Sequence, residues 1–201
     1  MKKLILLLAF VLTASCAFAL PTGSLVDWTG SKDFSFAGSD GRMISGRVDF
    51  AVYAPSSFPL VPAESGYVYA YQIFSDTCSD KGISSFSLAM SQNADAVSIG
   101  FDDTFSPGID PSFSFFSPTQ TAPDSADFLF LPKTNFAGLI NPSDNSAILY
   151  FISMNAPTDG FGHLDGGGVG GTVESLPTPV PEPTTLALMS LSMAFILRKK
   201  K

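Results

Sequence analysis

The chain has 201 residues, with 18 acidic and 11 basic side chains, one histidine and two cysteines. That length admits one domain with a real core, and the acidic balance excludes the basic surface that nucleic-acid phosphates require. So few histidines and cysteines leave no cluster for a zinc or iron centre.

At the N-terminus, Met1-Lys2-Lys3 supplies a positive start, Leu4–Leu12 an apolar run, and Ala17-Phe18-Ala19 a small-x-small site. This is the pattern of an export signal helix over residues 1–19, cleaved after Ala19, with Ala17 and Ala19 as the recognition residues. A lipidation site at Cys16 is the competing reading, but Thr13-Ala14-Ser15-Cys16 lacks the leucine three places before the cysteine. With the signal and the basic C-terminus set aside, residues 20–183 keep five cations (Lys32, Arg42, Arg47, Lys81, Lys133) against all eighteen acids, a difference of −13. An excess of that sign opposes docking on an anionic membrane surface and favours solubility.

The body, residues 20–159, repeats with period two. Val48, Phe50 and Val52 alternate with Asp49, Ala51 and Tyr53; Phe86, Leu88 and Met90 with Ser85, Ser87 and Ala89; Val97, Ile99 and Phe101 with Ser98, Gly100 and Asp102. Tyr67–Phe74 is apolar on both faces, as in a central strand, and shorter runs stand at Phe34–Ala37, Phe113–Phe116, Phe128–Leu131 and Ile148–Met154. Such runs, separated by Gly, Pro, Asn, Asp and Ser, predict an all-β fold: an antiparallel β-sandwich of eight or nine strands, jelly-roll or immunoglobulin-like. Cys78 is the one cysteine left after signal removal. It sits among Asp76 and Asp80 with no cation to activate a thiolate, so it reads as inert or paired between molecules.

Gly160, Gly162, Gly166, Gly167, Gly168, Gly170 and Gly171 precede Leu176-Pro177-Thr178-Pro179. That composition predicts a linker over 160–179, flexible then stiffer, with one last strand across Gly168–Val173 as the alternative. Gly166-x-Gly168-x-x-Gly171 matches a dinucleotide-binding pattern, but without the strand and helix that give the pattern meaning. His163 beside Asp165 reads as an exposed bystander rather than a catalytic base. Asp76, Asp80 and Gly82 depart from a calcium loop at the middle ligand, where Cys78 stands. Asp102, Asp103 and Asp110 read as a solvated acidic turn, and a glycosidase pair among them needs a separation that sequence does not give. Tyr67, Tyr69, Tyr71 and Trp28 could stack on sugar rings, though alternating tyrosines more often pack a sheet.

The tail, residues 180–201, has a different character. Pro181-Glu182-Pro183 forbids a helix or central strand, Thr184–Leu197 is uncharged and apolar, and Arg198-Lys199-Lys200-Lys201 closes it as a basic stop. The fourteen residues of this uncharged run, interrupted only by Thr and Ser, make a helix of about 21 Å against a hydrocarbon core of about 30 Å. That is short for a lasting transmembrane helix and suits a temporary anchor. Triplet, apolar run, basic end and C-terminal position together resemble the PEP-CTERM sorting signal of Gram-negative bacteria. The resemblance implies Pro181, Glu182 and Pro183 as the sorting motif, an exosortase-type membrane processing enzyme as partner, and transient inner-membrane anchoring before the cell surface or extracellular matrix. The expectation is a secreted, non-enzymatic protein without cofactor, structural or adhesive in a biofilm matrix. The alternative is a carbohydrate-binding module acting on exopolysaccharide.

Overall fold

Each of the eight β-runs read from the sequence is a strand in the computed structural model, which describes residues 20–61, 65–90, 94–117, 125–132 and 138–179. In chain order they are β1 (Thr29–Ala37), β2 (Met43–Tyr53), β3 (Tyr67–Ser75), β4 (Ser85–Ala89), β5 (Ala96–Asp102), β6 (Phe113–Ser117), β7 (Ser125–Leu129) and β8 (Ile148–Ser153). Two more follow, β9 (Pro157–Gly166) and β10 (Val169–Pro179), so the strands among the described residues number ten rather than eight or nine. They form two five-stranded sheets, β1-β2-β3-β8-β5 and β10-β9-β4-β7-β6. Every ladder between these strands is antiparallel. The expected signal helix and the hydrophobic helix 184–197 lie outside the described residues. Within them the helical structure is one 3-10 turn, Val26–Trp28, and no described helix is long and apolar enough to cross a membrane.

The linker expected over 160–179 is instead the β9–β10 hairpin, and the physical reason is close packing. A methyl group on Gly171 would lie 2.2 Å from the Phe36 ring, and one on Gly162 would lie 2.8 Å from the Phe86 ring. These glycines make room for aromatic neighbours rather than loosening the chain. Gly167 and Gly168, at φ +61° and +81°, form the two-residue turn that joins Gly166 to its partner Val169.

The sheets enclose an aromatic core. Tyr71 of β3 meets Phe86 of β4 edge-on at 5.7 Å, and Phe116 of β6 meets Phe151 of β8 at 6.4 Å, so rings from opposite sheets lock the two layers. A second layer lies outside the first sheet. Leu20 and Phe58 bury against Ala51, Tyr53, Val68, Ala70, Ile148 and Ile152, with Leu60 and Val61 beside them. This cover explains why β2 and β3 are apolar on both faces. Gln72 donates from Nε2 to Ser106 Oγ and to the Ser146 carbonyl, both at 2.8 Å, which ties the β5–β6 crossover to the first sheet.

Strand β5 departs from its sequence pattern. The ladder with β8 slips between Ala96 and Ser98. Such an irregularity re-aims the extra residue, and Val97 stands 61% exposed while Ile99 packs against the core.

Candidate functional site

Of the four residues proposed for sugar stacking, two are fully buried and two are half-buried. Tyr69 and Tyr71 are fully buried, their rings stacked with Phe151 at 4.8 and 6.1 Å. Tyr67 and Trp28 pack against the same core. Of the acidic candidates, Asp102 caps a turn, while Asp80 and Asp76 tie their loop to the start of β2. Asp102 Oδ1 accepts from the Thr104 N–H, the Thr104 hydroxyl and the Phe105 N–H. Asp80 Oδ2 accepts from the Met43 N–H at 2.9 Å, and the Asp76 N–H donates to the Ser45 carbonyl. Cys78 is exposed, with its sulfur 3.3 Å from Ser45 Oγ. Among the described residues, no group of three or more His, Cys, Asp or Glu side chains could hold a metal ion.

His163 is on β9, exposed and in register with Ser87 of β4, which is in turn in register with Asp127 of β7. The row therefore runs His–Ser–Asp with the serine in the middle, where an acyl-transfer relay needs the imidazole. Asp127 spends its carboxylate on the Ser117 and Ser125 hydroxyls, at 2.6 and 2.7 Å. An open depression of about 510 Å³ lies on β9 and β10, lined by Asp159, Gly160, Phe161, Thr172, Glu174 and Ser175.

The C-terminal end of β10 has the most constrained chemistry. After a register shift between Glu174 and Leu176, with Ser175 at φ +57°, the strand resumes and Leu176, Pro177, Thr178 and Pro179 are all buried. The Tyr71 hydroxyl donates across the core to the Pro177 carbonyl. The Tyr69 hydroxyl donates to the Asn155 carbonyl at 2.8 Å, fixing the connection that leads into β9. Burial holds both phenols protonated, their pKa values well above the ordinary tyrosine range, with Tyr67 adding to the shift of Tyr69 and Tyr69 to that of Tyr71. Pro177 and Pro179 also bring no N–H to this sheet edge, which keeps it from extending the ladder. The folded strand thus continues to Pro179, and Pro181 follows two residues later, within about 7 Å at full extension.

That position coincides with a sequence signature. Residues 179–201 match the PEP-CTERM protein-sorting motif. Comparisons with curated proteins and with solved structures gave no match. The PEP-CTERM match confirms the resemblance read from Pro181, Glu182 and Pro183 and confines it to the tail. Those residues, like Arg198, Lys199, Lys200 and Lys201, lie outside the described part of the molecule, as do Ala17 and Ala19. What the structure adds is the attachment point, a strand end held by Tyr71 instead of the tether that glycine content had suggested. Sequence reasoning missed this clamp. Its one visible sign was the alternation of Thr172, Val173 and Glu174 ahead of Leu176.

The other terminus is anchored too. Leu20, the first residue after the expected cleavage point, is buried, and the Pro21 carbonyl accepts from the Tyr53 hydroxyl. Tyr53 ends β2 opposite Val68, near the start of β3. Pro179 ends β10 opposite Pro157, four residues beyond the end of β8 at Ser153, which pairs with Tyr67. The first and last described residues of the body, Leu20 and Pro179, therefore lie toward one end of the sandwich.

Proposed function

We propose that the chain is an exported protein whose body is a structural or adhesive passenger for its tail. The signal over residues 1–19 directs export. The segment 184–197, stopped by Arg198–Lys201, holds the protein briefly in the inner membrane. An exosortase-type enzyme reads Pro181-Glu182-Pro183 and passes the body to the cell surface or matrix. The observation that carries this reading is the match over residues 179–201, which begins at the last residue of β10. The common end of Leu20 and Pro179 supports it, because hydrophobic segments attached there can occupy one bilayer.

The non-enzymatic part of the reading is supported by the separate employment of the polar candidates. Asp102 caps a turn, Asp80 holds the start of β2 through the Met43 N–H, Asp127 binds two serines, and His163 faces solvent beside a serine rather than between a serine and a carboxylate. Changing Pro181, Glu182 and Pro183 to alanine in cells that carry an exosortase tests the sorting role. Full-length precursor should accumulate in the membrane fraction. Wild-type processing of the triple variant would refute the reading.

A further inference from the structure

We propose that β6 is a self-association edge, through which two copies of this chain pair antiparallel and join their second sheets into one of ten strands. A sandwich of two open sheets has four edges, and unprotected edges invite pairing. Three are blunted here. On one side β1 and β10 pack against each other, with Phe36 over Gly171 and Val169 against Gly38, and β10 ends in prolines. On the other side β5 carries the irregularity at Val97 and ends in Asp102. Strand β6, Phe113-Ser114-Phe115-Phe116-Ser117, has no charge, no proline and no register shift against β7. It is the terminal strand of its sheet.

The occupant follows from sequence parity and charge. Phe113 is 58% exposed and Phe115 40% exposed, while Phe116 points to the core. Pro111 and Pro118 bound the usable window to the five residues 113–117. Antiparallel pairing of that window with a second copy sets Phe115 opposite Phe115 and Phe113 opposite Ser117, and keeps every outward residue on the same face. The four outward phenylalanines then form one stripe across the junction. A body carrying five cations against eighteen acids repels its own copy over most orientations, and this uncharged edge is where close approach meets least opposition.

The two-fold axis of this pairing reverses strand direction, so the two β10 ends point opposite ways. On the sorting proposal above, two copies anchored in one bilayer could not adopt it. The pairing belongs to released protein, and anchoring keeps it from forming early.

The test uses full-length chain with Cys16→Ser and Cys78→Ser, in dilute detergent micelles, where tails are not tied to a common bilayer. A single cysteine at 115 (Phe115→Cys) should cross-link to its own copy under mild oxidation. Phe113→Cys should not, because in this register two 113 positions stand about 14 Å apart, beyond disulfide reach. An equimolar mixture of Phe113→Cys and Ser117→Cys should cross-link to each other. Phe115→Lys, whose circular dichroism checks the fold, should weaken self-association by more than about tenfold in sedimentation. Equal cross-linking at 113 and 115, or none at 115, would overturn the proposal. Cross-linking at 115 that persists undiminished within sparsely loaded single vesicles would overturn its antiparallel geometry while leaving the sorting reading intact. Loss of vesicle flotation by the full-length chain would instead count against the sorting reading.

Discussion

Removing one oxygen from Tyr71 is a focused test of how the folded body ends. Tyr71→Phe keeps the ring contacts with Phe86 at 5.7 Å and with Phe151 at 6.1 Å, and deletes the hydroxyl that meets the Pro177 carbonyl. The core volume barely changes, so the loss is that of a buried hydrogen bond whose acceptor stays behind. An orphaned buried acceptor costs about 1–3 kcal/mol, and a carbonyl on an edge strand, able to find water, belongs in the lower half of that range. With a urea dependence of about 1–3 kcal/mol per molar for a body of this size, the unfolding midpoint should fall by roughly 0.3–2 M. The chain's single tryptophan, Trp28, packs against the core and reports the transition. Amide exchange should quicken at Leu176 and Thr178 before it does at Val48 or Phe151. Tyr69→Phe, which deletes the hydroxyl that donates to the Asn155 carbonyl, should act on the β8–β9 connection instead. An unchanged midpoint together with unchanged exchange at Leu176 and Thr178 would show that the tyrosine does not hold the end of β10.

Other expectations concern pH, packing and the surface edge. Burial raises the pKa values of Tyr53, Tyr69 and Tyr71 above the unfolded value of about 10. Their contribution is therefore complete below pH ~10 and lost as pH rises above it, by up to about 4 kcal/mol per pH unit for the three together. An ultraviolet titration should show these three of the five tyrosines ionising only as the fold is lost, and free ionisation in the folded protein would contradict their burial. Gly46→Ala would place a methyl group 2.0 Å from the Phe74 carbonyl oxygen, a backbone clash that should destabilise the protein by about 1–3 kcal/mol in the same urea assay. Phe58→Ala should cost about 3–5 kcal/mol, since Phe58 is fully buried between Tyr53 and Tyr150. A loss under 1 kcal/mol would mean that the outer layer over the first sheet is not part of the cooperative fold.

Eight strands were legible because their side chains alternate where one face is buried, as in β4, or stay apolar where both are, as in β3. Of the β9–β10 hairpin only a last strand across Gly168–Val173 was legible, as the alternative to a linker, because the rest of its signal is carried by absences. Gly162, Gly166 and Gly171 sit where a neighbouring ring or backbone occupies the space of a Cβ, and a glycine count gives the same number for a tether as for a tight sheet. The inward tyrosines were ambiguous for a related reason. Period two places Tyr67, Tyr69 and Tyr71 on one face without saying which face is covered, and the answer depends on rings from the other sheet. Val97 shows the limit of alternation itself, since one irregularity turns it outward against its pattern. The sorting signal was legible almost completely because it is a linear address, read as extended peptide, apolar length and terminal charge.

The central claim, that this C-terminus is a handle for processing machinery, is tested most directly by the intact mass of the protein recovered from the cell surface. The account predicts a chain that begins at Leu20 and lacks the basic end Arg198–Lys201, with the body through Pro179 preserved. Surface protein that still carries Lys201 would contradict it.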